Sequence, residues 1–319
     1  MKILITGACG YQGSLLIPKL LKKNHEIIAI DTQWFGNYLK KHKNLKNIKK
    51  NILDINKIDL KDVDTIIHLA SIANDPMGDL VQNITWEYSC LGTMKLLNLA
   101  IEQNVKKIIY ASSSSVYGLK KEKKVTENLS LKPISIYNKA KMITERIILS
   151  YSDKIDFTII RPATVCGVSP RMRFDVSVNM MTYQALKNGK MTVFGGNQTR
   201  PNIHMDDLLD LYIFFLKKGK KFNGIFNAGF ENLKIIEIAK RVQKIIPSKI
   251  NIIKNNIDIR DYRVDSSKLL SLGYKPKKNI NHAINEILIK YKKNINNVDK
   301  KSFSIKWLKQ NYKRYFNIT

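Results

Sequence analysis

No stretch of this chain approaches the ~20 consecutive apolar residues needed to cross a bilayer. Met1 runs directly into an apolar segment, so no leader peptide is expected. Cysteine is sparse, with three residues in 319, Cys9, Cys90 and Cys166, far apart and without metal-ligand spacing. That excludes a disulfide framework and a cysteine-based metal site, and no metal is expected. It also points to free thiols in a reducing compartment, the cytoplasm. Acidic residues are few, 26 Asp and Glu against 55 Lys and Arg, for a net charge of +29. The excess is mostly scattered lysine, and arginine is scarce. Nucleic-acid interfaces favour clustered patches with arginine among the base contacts, so no specific nucleic-acid partner is expected. The charge does favour an anionic small substrate through steering. A hydrophobic content of 44% is ordinary for a globular chain, and this length can bury a full core.

What is present is concentrated at the start. Ile3-Leu4-Ile5 leads through Thr6 into Gly7, Gly10 and Gly13, followed by Leu15-Leu16-Ile17. This reads as a buried strand, a glycine turn and the first turn of a helix. Such a turn offers backbone N–H groups and the positive end of a helix dipole to an anion, naturally a pyrophosphate. Gly7 serves the turn, Gly10 the close approach of the ligand, and Gly13 the packing of helix on strand. A second strand, Glu26 to Ile30, closes on Asp31, 18 residues past Gly13. A carboxylate there accepts both hydroxyls of an adenosine ribose and repels a 2′-phosphate. Thr32 and Gln33 follow with no arginine, so the site favours NAD over NADP.

Strand patterns recur at 48–53, ending at Asp54, at 63–69, followed by Ala70-Ser71, and at 106–111, ending in Ser112 to Ser115. A long helix is expected over about 80–103. Strands alternating with helices imply a doubly wound parallel sheet of α/β class, with ligands at the carboxyl ends of the strands. A further helix opens near Tyr137 and runs to about Ser150, then Phe157 to Arg161 is a sixth strand. His68, inside an apolar strand, reads as a packed histidine. Tyr137 and Lys141 are four apart and share a helical face. A phenol is a poor base at neutral pH, and an ammonium group one turn away stabilises its phenolate. Tyr137 can then take a proton from a sugar or alcohol hydroxyl while hydride leaves the carbon, with a serine from the fifth strand's end holding the same oxygen.

Together Thr6-Gly-Ala-Cys-Gly-Tyr-Gln-Gly13, Asp31, Asp54, His68-Leu-Ala-Ser71, Ser112-Ser-Ser-Ser-Val-Tyr-Gly118 and Tyr137-Asn-Lys-Ala-Lys141 resemble the extended short-chain dehydrogenase/reductase superfamily. More narrowly they resemble its NAD-dependent nucleotide-sugar epimerase/dehydratase branch, over roughly residues 1 to 290. The resemblance implies a Rossmann-type domain at 1–165 with return segments at about 201–229. It implies a smaller α/β substrate domain from 166–200 and 230–290, and leaves 291–319 as a basic appendage, solvated or packed. It implies Ser113, Tyr137 and Lys141 as catalytic residues. Gly7, Gly10, Tyr11, Gln12, Gly13, Asp31, Asp54, Ile55, Leu69, Ala70 and Ser71 would bind NAD, with Tyr137 and Lys141. Ser113, Ser114, Thr164, Arg171, Arg173, Asn179, Arg200 and Arg260 would bind a nucleoside-diphosphate sugar, arginine forks suiting diphosphate oxygens. A homodimer through the helices at about 80–103 and 137–150 is also implied.

The implied reaction is epimerisation, with a sugar carbon, C4, oxidised and re-reduced on NAD. The segment Ser169-Pro-Arg-Met-Arg-Phe-Asp175 resembles a subgroup of surface-polysaccharide sugar enzymes. Three departures bear on chemistry. The branch's 4,6-dehydratases carry Asp-Glu directly after the catalytic hydroxyl, and this chain has Ser114-Ser115. Epimerases often carry Asn where Thr164 stands, and Ser89 replaces another Asn. Alternatives are a net oxidation or reduction at the sugar carbon, a 4,6-dehydratase, a non-catalytic NAD sensor, or a nucleic-acid binder held by bulk charge.

Overall fold

The computed structural model describes residues 1–217, 219–255 and 260–316. The first half alternates strand and helix as the pattern predicts. Strand β1 (Lys2–Thr6) enters helix α1 (Gly13–Leu21), which tolerates Pro18 in its interior. Strands β2 (Glu26–Asp31), β3 (Leu45–Lys49) and β4 (Thr65–His68) follow. Helices α2 (Asp75–Leu80), α3 (Gln82–Trp86) and α4 (Gly92–Glu102) lead to β5 (Lys107–Ala111). Helix α5 (Ile136–Leu149) and β6 (Asp156–Pro162) come next.

The second half alternates less regularly. It comprises β7 (Thr164–Cys166), α6 (Ser177–Asn188), β8 (Lys190–Phe194), β9 (Thr199–His204), α7 (Met205–Phe214) and β10 (Gly224–Ala228). Then come β11 (Glu231–Lys234), α8 (Ile235–Ile245), β12 (Lys249–Ile253), α9 (Ser267–Ser271), α10 (Ile280–Tyr291) and α11 (Ser304–Phe316).

Seven strands form one parallel sheet in the order β3-β2-β1-β4-β5-β6-β10. The order reverses between β1 and β4, and that switch point opens a crevice beyond the strands' carboxyl ends. The strands are apolar on both faces because helices cover both. Ile3, Ile5, Leu16, Ile17 and Ile67 sit in the core on one side, with Leu4, Ile66, Leu96, Leu97 and Ile108 on the other. A separate core of Val178, Met191, Ile238, Val242 and Ile284 joins α6, α8 and α10 to the small sheets β11-β9-β7 and β12-β8. This is the Rossmann-type α/β architecture. Among the described residues no helix is long and apolar enough to cross a membrane.

Two elements differ from the sequence expectation. The third strand lies at Leu45–Lys49 rather than 48–53. Asn51 ends the extended run, because its side chain accepts the Leu53 N–H at 3.1 Å and starts a 3₁₀ turn over Ile52–Asp54. The long helix is interrupted. Val81 leaves helical geometry at φ −131°, ψ 62°, and Glu87–Leu91 forms a π turn. Val81 there turns its side chain into a cluster with Ile72, Met77 and Leu308.

The carboxyl ends of β5 and β6 are tied to α5 by a buried network. Glu145 accepts from Arg161 Nε at 3.0 Å and Nη2 at 2.6 Å, and from the Ser112 hydroxyl. Arg161 Nη1 donates to Tyr117 Oη at 2.7 Å, and Tyr117 donates to Asn227 at 2.8 Å. Breaking such a pair leaves an uncompensated buried charge, which costs ~3–5 kcal/mol. Glu145→Gln is therefore expected to lose about 3 kcal/mol of unfolding free energy in urea, and an unchanged transition midpoint would refute the role given to this pair.

Candidate active site and cofactor cavity

The glycine turn leads from β1 into α1 at the switch point. Gly7 adopts φ +71°, and a Cβ there would lie 2.6 Å from the Ala70 nitrogen. A Cβ on Gly13 would lie 2.5 Å from the Ala8 carbonyl oxygen. Only glycine fits either place. Chain carbonyls accept the N–H groups of Gly10 and Ser14, while those of Tyr11, Gln12 and Gly13 meet no chain acceptor among the described residues. Three unsatisfied donors at a helix start form a seat for an anion.

The cavity over this turn is lined by Gly7, Gly10, Tyr11, Gln12 and Gly13. Asp31, Leu69, Ala70 and Ser71 complete the near wall. The Asp31 carboxylate accepts from Cys9 N at 3.0 Å and Gln33 N at 2.6 Å, which fixes it at the cavity edge. Burial pushes its pKa up, against those two hydrogen bonds. The Tyr11 side chain turns away from the cavity, its hydroxyl donating to the Gly167 carbonyl at 2.7 Å.

Asp54 and Ile55 do not line this cavity. Because β3 ends at Lys49, the chain crosses the cavity mouth at Asn51 and Ile52. Asp54 is exposed, and Ile55 is buried in the core beneath the sheet. Asn51 also donates to the Tyr88 hydroxyl at 2.6 Å. A polar residue just past an apolar strand was visible in the sequence, but the strand's true end was not.

Arg171 and Arg173 line the same cavity as the glycine turn, and the charge of Arg173 also acts on Tyr137. Arg173 Nε bonds Asp175 at 2.8 Å, and its Nη2 is buried without a partner among the described residues. Arg171 lies over the Phe35 ring at 3.9 Å and donates to Ser304 Oγ at 2.9 Å. Burial and the neighbouring Arg173 lower its pKa to about 10. Asn179 is fully buried. It accepts from Gly167 N at 3.0 Å and donates to Tyr11 Oη and the Arg173 carbonyl at 2.9 Å each.

The catalytic candidates meet at the next strand end. Ser135 caps α5, accepting the Asn138 N–H at 3.2 Å, and Tyr137 and Lys141 follow on the face turned to the sheet. Ser113 lies beside Tyr137 and acts to lower its pKa. It also shares a hydrogen bond with the Ser115 hydroxyl at 2.7 Å, and Ser115 bonds Asn138. The Lys141 ammonium donates to the Ala111 carbonyl at 2.6 Å. It lies 4.8 Å from the centre of the Tyr110 ring and 5.9 Å from that of Tyr137. Burial, with Asp75 adding to it, raises Tyr137 to about 12. Burial lowers Lys141 to about 7. His68 is packed between Thr6 at 2.6 Å and Thr93 at 2.9 Å, and burial drives its pKa down to about 3, so it is a neutral structural bridge.

Beyond Tyr137, Arg260 Nη1 bonds Asp75 at 2.8 Å, and Asp75 accepts from Ser135 at 2.5 Å. Arg200 Nη1 donates to the Thr199 carbonyl at 2.9 Å and to the Arg260 carbonyl. Ser114 shares a 3.4 Å bond with Tyr262, whose surroundings include both arginines. Ser113, Ser114, Arg200 and Arg260 thus gather on one side of Tyr137. Thr164 stands half-buried in β7, in register with Asn202. Asp75 escaped the sequence reading. Asn74-Asp75-Pro76 does signal a helix start, but its pairing with an arginine 185 positions away is set by the fold. His204, Asp206 and Glu286 also come close together, but Lys278 bonds both Asp206 and Glu286 at 2.7 Å, so that cluster is already neutralised by the chain.

The donors, the ribose-facing carboxylate and the glycine cradle fit a dinucleotide. The sequence pattern of the NAD dependent epimerase/dehydratase family matches residues 3–229. The chain is 30% identical to a UDP-glucose 4-epimerase of Lactobacillus helveticus over 312 residues, covering 87% of this chain and 92% of that protein. It is 26% identical to the dTDP-D-glucose 4,6-dehydratase of Bos taurus over 324 residues, covering 93% and 90%. The crystal structure of UDP-glucuronic acid 4-epimerase from Bacillus cereus, in complex with UDP-glucuronic acid and NAD, matches at TM-score 0.80 and 27% identity, over 91% of this chain and 100% of that one. The chain therefore belongs to the NAD dependent epimerase/dehydratase family of the extended short-chain dehydrogenase/reductase superfamily, and is an NAD-dependent enzyme.

Proposed function

We propose that this enzyme epimerises a nucleoside-diphosphate sugar at C4 in surface-polysaccharide sugar biosynthesis. The observation that carries the reading is the convergence of Ser113, Tyr137 and Lys141 beside the cofactor cavity, with Arg200 and Arg260 gathered beyond them. NAD accepts a hydride from the sugar carbon and returns it to the opposite face, so none is consumed. Tyr137 takes the hydroxyl proton and gives it back, and Ser113 holds the same oxygen. Lys141 supplies the positive charge that makes Tyr137 a competent base, and their protonations are coupled. Arg200 and Arg260 receive the diphosphate, with Asp75 orienting Arg260. Residues 1–165 and 201–229 would carry the cofactor, and 166–200 and 230–290 the sugar nucleotide. The three buried thiols suit the reducing cytoplasm as the site of action.

The relatives include both epimerases and dehydratases. Epimerisation is favoured because Ser114 and Ser115, where the dehydratases place an acid and a base, are hydroxyls already bonded to Tyr262, Ser113 and Asn138. Neither can shuttle the proton that dehydration requires.

Purified enzyme is expected to interconvert UDP-glucose or UDP-glucuronic acid with its C4 epimer, with no net NADH in the absorbance trace. Tyr137→Phe should lower turnover about 10²–10⁴-fold. Lys141→Met removes the charge that favours phenolate, so the acid limb of the kcat/KM profile should move to higher pH. NADH accumulating in step with product, or full turnover by Tyr137→Phe, would sink the proposal.

We also propose a homodimer through α4 and α5. Leu91, Met94 and Ile143 are 55%, 40% and 38% exposed on these neighbouring elements, and an apolar face of this kind suits a second copy. Sedimentation should give a dimer for the natural chain and a monomer for Leu91→Glu combined with Ile143→Glu; a natural chain that sediments as a monomer overturns the interface.

A further inference from the structure

The basic tail is folded onto the cofactor cavity. Helix α11 meets three loops that border the crevice. After β2, the Trp34 carbonyl accepts from Trp307 Nε1 at 3.0 Å and from the Tyr315 hydroxyl at 2.6 Å. The Trp34 ring stacks on Tyr315, with centroids 5.6 Å apart and planes 16° from parallel. After β4, Leu308 is fully buried against Ile72, Met77 and Val81. After β7, Ser304 joins the cavity wall itself, accepting from Arg171 Nη2 at 2.9 Å. Residues 317–319 lie outside the described residues.

The charge balance of this wall is unusual. Arg171 is 4% exposed, yet among the described residues it bonds only neutral atoms, Ser304 Oγ and the Met172 carbonyl. Asp175 is bonded to Arg173, whose Nη2 is buried without a partner among the described residues. The Asp175 and Asp31 carboxylates act on Arg171 through space without bonding it. Both guanidinium groups face the cavity that holds the unsatisfied N–H groups of the glycine turn. The cavity lining thus combines two guanidinium groups with the free N–H donors of the glycine turn, and the diphosphate of a dinucleotide would answer both. The guanidinium of Arg171 is held in place by the Phe35 ring on one side and by Ser304 on the other.

We propose that α11 is a latch on the cofactor: through Ser304, Trp307 and Tyr315 it holds Arg171 and the Trp34–Phe35 loop against the NAD cavity, so that release of the dinucleotide requires the helix to lift. The inference rests on reading this cavity as the NAD site. It makes the tail part of the cofactor-binding machinery and accounts for the packing of a lysine-rich helix against an apolar cluster.

The test uses the full chain loaded with NADH and chased with excess NAD, with loss of bound-NADH fluorescence giving the exit rate. Trp307→Leu removes the bond to the Trp34 carbonyl and should speed exit about tenfold, the effect of losing one or two net hydrogen bonds. Ser304→Ala removes a single hydroxyl from the cavity wall, keeps the fold if the larger change does not, and should speed exit severalfold. Cofactor-free Ser304→Ala should melt like the natural chain. Exit rates equal to the natural chain's in folded variants, or a lowered melting point with unchanged exit, would make α11 a structural brace and overturn the latch. A natural chain that takes up neither NADH nor NAD would instead overturn the reading of the cavity.

Discussion

The carboxylate of Glu145 holds the catalytic end of the sheet together. It lies one helical turn past Lys141 on α5, and it accepts hydrogen bonds from Arg161 on β6 and from Ser112 at the end of β5. Three elements are thereby fixed against one another at the place where Ser113 and Tyr137 must meet. The pair is buried and expensive to desolvate. Its return is geometric, because a helix packed only by apolar contacts could slide along the sheet, whereas a bidentate guanidinium and a serine hydroxyl define one register. Tyr117 and Asn227 extend the same network to β10.

Charge at the site is shaped by burial in opposite senses. Burial disfavours phenolate on Tyr137 and ammonium on Lys141, raising the one to about 12 and lowering the other to about 7. Either charged form there gains from its neighbour. The cofactor cavity gathers positive charge instead, with Arg171, Arg173 and the positive end of α1 in its lining.

Much of this was legible in the chain. The glycine spacing, Asp31 and the serine-tipped fifth strand lie within local patterns of strand, turn and helix, and such patterns depend on near neighbours. Tyr137 and Lys141 share a face because a helix repeats every 3.6 residues. The end of β3 was misread because Asn51 competes for a backbone N–H with its side chain, a local choice that apolar patterning does not reveal. Asn51 and Ile52, rather than Asp54 and Ile55, thereby come to line the cavity. The interruption at Val81 was hidden for a related reason: its side chain is drawn into a cluster completed by Leu308.

By itself, the sequence determined the order of strands and helices, the place of Asp31 at the end of the second strand, and the shared helical face of Tyr137 and Lys141. Each rests on interactions within a few residues, where chain geometry leaves little freedom. Only the tertiary structure decided where the arginines stand. Arg171 and Arg173 stand on the cofactor wall because Phe35, Asp175 and Ser304 hold them there, and Asp75 orients Arg260 from 185 positions away. It also decided that the basic tail closes over the cavity, since a lysine-rich amphipathic helix carries no local sign of the surface that will bury its apolar face.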